Sequence, residues 1–162
     1  MITLVLGGSR SGKSAVAERI AADAATSVTY VATAQVHDDD FADRVALHRD
    51  RRPAEWTTLE VGADLAVALA SIDGVALVDS LGTWVAGVHD FEVDVDALCR
   101  VLARRTDPTV LVSDEVGMGV HPETAVGRQF RDALGAVNQA VAAIAEDVVL
   151  VVAGRSLHLP PS

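Results

Sequence analysis

Short runs of valine, leucine and isoleucine recur at residues 2–6, 28–32, 75–78, 109–112 and 148–152. They are nearly continuous rather than alternating, the pattern of strands covered on both faces. Residues 56–61 alternate less cleanly and predict a further strand at a sheet edge. Between the runs the spacing becomes helical. Residues 14–25 carry one such pattern. Val126, Phe130, Leu134, Val137, Val141 and Ile144 recur at intervals of four and three, which predicts one apolar face of a long helix. Strands alternating with helices predict an α/β fold, a mostly parallel sheet flanked by helices. Such sheets bind ligands at the carboxyl ends of their strands, so the polar residues just past each run are the candidates for chemistry.

The first strand ends in Gly7-Gly8-Ser9-Arg10-Ser11-Gly12-Lys13-Ser14, which fits the phosphate-binding pattern G-x-x-x-x-G-K-[ST] at every fixed position. A preceding strand and a following helix are the context this motif requires. Glycines let successive backbone N–H groups turn inward as an anion nest at a helix N-terminus. Lys13 would reach the β- and γ-phosphates, and the Ser14 hydroxyl would meet Mg2+. The run at 75–78 ends in Asp79, placed either to hold the metal or to cap the next helix. The run at 109–112 is followed by Asp114 and Glu115, which suit a base, a metal ligand or a loop turn. The loop by itself suits a single-function small-molecule kinase, or a nucleotide-binding switch or assembly module.

Charge and composition narrow the class. The 162 residues include 13 basic and 23 acidic side chains, a net charge of −10, and Lys13 is the only lysine. That balance argues against a nucleic-acid surface. Length predicts one catalytic domain over residues 1–162. No apolar run is long enough to span a membrane, the chain enters a strand at once with no signal-peptide pattern, and a single cysteine, Cys99, suits a reducing cytoplasm. Cys99 reads as a small core residue, and His37, His89, His121 and His158 as scattered surface residues. Trp56 and Trp84 suit core packing, or stacking on a base.

A second constellation lies between Asp38 and Pro53. Asp38, Asp39 and Asp40 offer a helix start, and Pro53 disfavours helix at Arg52. Arg44, His48, Arg51 and Arg52 fall at i, i+4, i+7 and i+8, one helix face. Neighbouring positive charge disfavours imidazolium, so the spacing predicts a neutral, nucleophilic His48 among phosphate-gripping guanidiniums. The other reading is a solvated face whose arginines pair with Asp40 and Asp43.

Taken together, GGSRSGKS at 7–14, YVATAQ at 30–35, HRDRRPAEW at 48–56, VDSLGTWV at 78–85, EVGMGVHPE at 115–123 and FRDALGAVNQ at 130–139 resemble one family. It is the bifunctional adenosylcobinamide kinase / adenosylcobinamide-phosphate guanylyltransferase family of cobalamin biosynthesis. The resemblance covers nearly the whole chain. It implies a RecA-like P-loop NTPase architecture and two reactions. Adenosylcobinamide is phosphorylated by a nucleoside triphosphate, ATP or GTP. GMP is then transferred from GTP to that phosphate through a guanylylated histidine, His48 here. The resemblance further implies nucleotide contacts at Gly7 to Ser14, Ala32, Thr33, Ala34, Arg49, Asp50, Arg51, Arg52, Glu60 and Asp79, and a homotrimer. The chain departs from the family pattern at Ser9, at Ser80-Leu81-Gly82 in place of Cys-Leu-Thr, at Asp114 in place of asparagine, and at Thr124. The tail from Ser156 to Ser162 reads as disordered or docked on a neighbour.

Overall fold

The computed structural model describes residues 1–33 and 53–161. The helix expected between Asp38 and Pro53 therefore falls outside the described residues, together with Ala34, Arg44, His48, Arg49, Asp50, Arg51 and Arg52.

Seven strands form one sheet: β1 Ile2–Gly7, β2 Val28–Ala32, β3 Thr57–Glu60, β4 Val75–Asp79, β5 Thr109–Asp114, β6 Asp147–Val152 and β7 Arg155–Leu159. Their spatial order is β3-β2-β4-β5-β1-β6-β7, and every pairing is parallel except β6 with β7. The helices are α1 Lys13–Ala24, α2 Leu65–Ala70, α3 Leu81–Ala86, α4 Val95–Arg104 and α5 Ala125–Ala142.

Continuous apolar strands follow from helices lying on both faces. Val5, Tyr30, Leu77, Val112 and Val151 point to one side, where Val16, Ala17 and Ala21 of α1 cover them. Leu4, Leu6, Val31, Val78 and Leu111 point to the other, against Leu65, Leu69, Trp84, Leu98, Leu102, Leu134 and Val137 of α2 to α5. At about 25 cal/mol per Å2 of apolar surface removed from water, these two layers are the main stabilising term. The five expected strands all form, three of them running on by a residue or two to Gly7, Asp79 and Asp114. Asp79 and Asp114 are therefore held by the sheet instead of lying in a loop. The strand expected near 56–61 is present as the edge strand β3, with all four residues exposed.

Two expectations are corrected. The last helix ends at Ala142, so Ile144 lies beyond it, and Val126 is 64% exposed rather than facing the core. The tail is neither disordered nor docked elsewhere, since its residues up to Leu159 form β7, paired antiparallel with β6 through a two-residue turn. Ala153 (φ 51°) and Gly154 (φ 74°) both take the left-handed region, which matches the twist of a tight hairpin. Ala-Gly lacks the Asn-Gly or Asp-Gly signature that announces such a turn, and the residues of β7 are all exposed, so no apolar pattern marks it.

Candidate active site

The carboxyl edge of the sheet gathers the candidates by register. Gly7 lies beside Asp114 across β1 and β5, while Glu60, Ala32 and Asp79 line up across β3, β2 and β4. Residues far apart in sequence thus share one rim.

The loop between β1 and α1 is built so that only its own residues fit. A Cβ on Gly7 would stand 2.5 Å from Ser11 Oγ and 2.8 Å from the Val151 carbonyl oxygen. Gly12 has φ 92°, a conformation that costs glycine little, and leads directly into α1. The Ser11 amide donates to the Gly8 carbonyl (3.2 Å), and the Ser11 hydroxyl accepts from the Lys13 amide (3.3 Å). The Ser11 carbonyl accepts from the Gly154 amide at 2.7 Å, so the β6–β7 turn braces the loop from behind. Gly8, Ser9 and Arg10 are exposed, with Arg10 at φ 57°, and Ser14 is half-buried in the first turn of α1.

Lys13 points back across the loop. Its ammonium lies 2.7 Å from Asp114 Oδ1 and 3.4 Å from the Gly8 carbonyl. Of the three readings left open for Asp114 and Glu115, the geometry bears only on the loop turn. Glu115 takes the turn, accepting from the Gly117 amide at 2.6 Å, while Asp114 faces the lysine.

Asp79 ends β4 with its carboxylate accepting from the Tyr30 hydroxyl at 2.9 Å. It does not cap the following helix. Ser80 does, accepting from the Thr83 amide (3.2 Å) while the Thr83 hydroxyl accepts from the Ser80 amide (3.2 Å). Asp79 is thus kept for the rim. A carboxylate and the Ser14 hydroxyl are hard oxygen donors of the kind magnesium takes.

Thr33 is buried, and its hydroxyl donates to the Ser80 carbonyl at 2.6 Å and meets Thr83 Oγ1 at 2.7 Å. Its side chain locks the β4–α3 junction, leaving its backbone at the rim. Glu60 is exposed beside a shallow open groove lined by Leu59, Val61, Asp64, Val67 and Ser71. Trp84 is 3% exposed and donates to the Ala63 carbonyl at 2.9 Å, which commits it to the core. Trp56 is half-buried against the α1 layer. No group of three or more His, Cys, Asp and Glu suited to a metal occurs among the described residues.

Sequence reasoning did not single out Tyr30, Asn138 or Gly154 for the parts they play. Asn138 donates to the Asp114 carbonyl (3.1 Å) and accepts from the Ser113 hydroxyl (2.6 Å). A polar residue inside the apolar stripe of α5 was the available signal.

The model of the family described as cobinamide kinase / cobinamide phosphate guanyltransferase matches residues 3–159. This chain belongs to that family. The cobinamide kinase / guanyltransferase family is also where its relatives fall. The bifunctional adenosylcobalamin biosynthesis protein CobP of Pseudomonas aeruginosa is 39% identical, covering 98% of this chain and 97% of that protein. CobU of Salmonella typhimurium, carrying the same bifunctional description, is 40% identical over 98% of this chain and 99% of its own length. CobU of Escherichia coli is 36% identical with the same coverage. Among solved structures, an ATPase of a bacterial type III secretion system superposes with a TM-score of 0.59 at 12% identity, covering 97% of this chain and 56% of that one. At that identity the likeness is one of fold, the P-loop NTPase sheet.

Proposed function

We infer that this chain carries out both reactions of its family as a single catalytic domain. It phosphorylates cobinamide with a nucleoside triphosphate, and it transfers GMP from GTP to the cobinamide phosphate. The observation that carries the reading is a complete phosphate loop, with the chain's only lysine inside it, in a chain that matches the family from residue 3 to 159.

In the kinase half, backbone amides of the loop and the Lys13 ammonium hold the β- and γ-phosphates of ATP or GTP. Phosphoryl transfer asks chiefly for positioning and charge neutralisation. Ser14 and Asp79 would hold magnesium, which supplies neutralisation of phosphate charge when bound. Tyr30 fixes the rotamer of Asp79 through its hydroxyl. Ala32, Thr33 and Glu60 share the same rim as further nucleotide contacts, with Ala34 following them in sequence.

The guanylyl half rests on the sequence between 48 and 52. A neutral His48 nitrogen attacks the GTP α-phosphorus, the bond to the β-phosphate oxygen breaks, and pyrophosphate leaves. An oxygen of adenosylcobinamide phosphate then attacks the same phosphorus and frees the imidazole, giving adenosylcobinamide-GDP. Two displacements replace one harder step. Arg49, Arg51 and Arg52 supply charge to the triphosphate, with Asp50 among them. Family resemblance supports a cytoplasmic homotrimer, and among the described residues no helix is long and apolar enough to cross a membrane.

Incubation with α-labelled GTP tests the reading. Covalent label should remain on the protein, acid-labile and base-stable as a phosphoramidate is, and should move to cobinamide phosphate on its addition. A chain that phosphorylates cobinamide but never retains label would be a single-function kinase. A chain that binds GTP and does neither would be a switch or assembly module.

A further inference from the structure

Lys13 is held by an anion that belongs to the protein. Its ammonium lies 2.7 Å from Asp114 Oδ1, with only 13% of the lysine and 32% of the aspartate side chain exposed. The backbone behind that carboxylate is pinned. The Glu115 amide donates to the Gly7 carbonyl (3.1 Å), tying the strand end to the phosphate loop. The Asp114 carbonyl accepts from Asn138, which in turn accepts from the fully buried Ser113 hydroxyl. Asp114 can therefore change its partner only by rotating its side chain.

The second oxygen of the same carboxylate has a made place. A Cβ added to Gly82 would lie 2.5 Å from Asp114 Oδ2. Glycine at the start of α3 leaves the pocket into which the carboxylate fits. A side chain there would force the carboxylate to shift.

A phosphate entering the loop needs the same ammonium that Asp114 holds, and it brings negative charge up to that carboxylate. The two anions compete for that one ammonium, since Lys13 is the chain's only lysine. We propose that Asp114 is a positioning residue that holds Lys13 across the loop until a nucleotide phosphate displaces it, so that the charge at position 114 sets the affinity of the loop for nucleotide. Gly82 is the residue that admits it. The inference rests on the reading of residues 7–14 as the nucleotide site and goes beyond it, since nothing in the phosphate-loop pattern calls for an acid at 114.

Metal-free ADP titrated into the full chain by calorimetry, in the presence of a chelator, is the test. Asp114→Asn keeps shape and removes charge, and should tighten ADP by roughly two- to fivefold, the scale of a partly exposed ion pair. Gly82→Ala, which displaces the carboxylate while leaving it charged, should tighten ADP in the same direction. The double variant should gain no more than Asp114→Asn alone, since both act on one contact. A merely structural role for Asp114 would lower the unfolding temperature and weaken or spare ADP binding. ADP affinity unchanged or reduced in Asp114→Asn overturns the proposal. So does an effect that appears only when magnesium is added, which would make Asp114 a metal-binding residue, and so do additive effects of the two substitutions. Lys13→Ala is the control on the underlying reading. If it binds ADP as wild type does, or if wild type binds none, the loop's own assignment fails. If only Asp114→Asn is silent, the loop stands and the proposal falls.

Discussion

In the proposed kinase reaction, Lys13 is the side chain on which most of the chemistry converges. Lys13→Ala removes the one ammonium from the loop and leaves Asp114 facing the phosphates unopposed. Cobinamide phosphorylation should fall by orders of magnitude in steady-state assays, because charge stabilisation supplies most of this catalysis. Tyr30 works one step removed. Tyr30→Phe deletes the donor to Asp79 and should raise the magnesium concentration for half-maximal turnover several-fold, while Asp79→Asn should weaken the dependence itself. Magnesium titrations of the two variants at fixed ATP decide between these roles. Cys99 lies half-buried in α4, where burial and the nearby Asp96 both raise its thiol pKa. It should therefore be alkylated more slowly than a free thiol at neutral pH, in line with a packing role rather than a reactive one. At this scale the sequence was legible wherever a motif fixes a residue's geometry. The meeting of Gly82 with Asp114 was not, although both had stood out as departures from the family pattern, because the contact exists only once β5 and α3 lie side by side.

Among the elements, the end of the sheet away from the phosphate loop is stapled by one guanidinium. Arg105, just after α4, donates to Thr109 Oγ1 (2.8 Å) and to the carbonyls of Leu69 (2.8 Å), Ile72 (2.6 Å) and Gly74 (2.6 Å). It joins the end of α2, the start of β4 and the start of β5. Arg105→Met should cost about 2–3 kcal/mol in urea unfolding, since it strands partly buried carbonyls, while the KM for nucleotide stays at the wild-type value. Glu146 ties the same end of β1, where its carboxylate accepts from the Ile2 amide, and that bond holds its pKa below the ordinary 4.5. A depressed carboxylate stabilises above the unfolded pKa, and its contribution is lost as pH falls through the folded value. Glu146→Gln should be less stable than wild type at pH 7, and the difference should vanish in acid below the folded pKa, as followed by thermal melts across pH. Elements were legible from pattern where both faces are covered. β7 was not, because exposed residues carry no burial signal and its turn lacks the usual asparagine or aspartate.

For the molecule as a whole, the two activities ought to come apart. His48→Ala should lose covalent GMP and adenosylcobinamide-GDP formation, yet retain most cobinamide phosphorylation, which needs no protein nucleophile. Product analysis with labelled ATP and labelled GTP in parallel checks this. Loss of both together would give His48 a structural part in the nucleotide site. The architecture was legible because five apolar runs and one glycine loop are enough to fix a parallel sheet and its working edge. The order of its strands was not, since side-chain pattern says which residues are inside but not which strand neighbours which. That order has a consequence for how the protein is made. β1, with the phosphate loop at its end, pairs with β5 and β6, whose residues begin at 109 and 147, and the brace on Ser11 comes from Gly154. β1 therefore waits for segments more than a hundred residues downstream before its two flanks are filled. A nascent chain halted after residue 146 would carry every residue of the loop and no finished binding site. Nucleotide can thus act as a ligand only once residues 147–154 have joined the sheet, rewarding that closure instead of an earlier collapse.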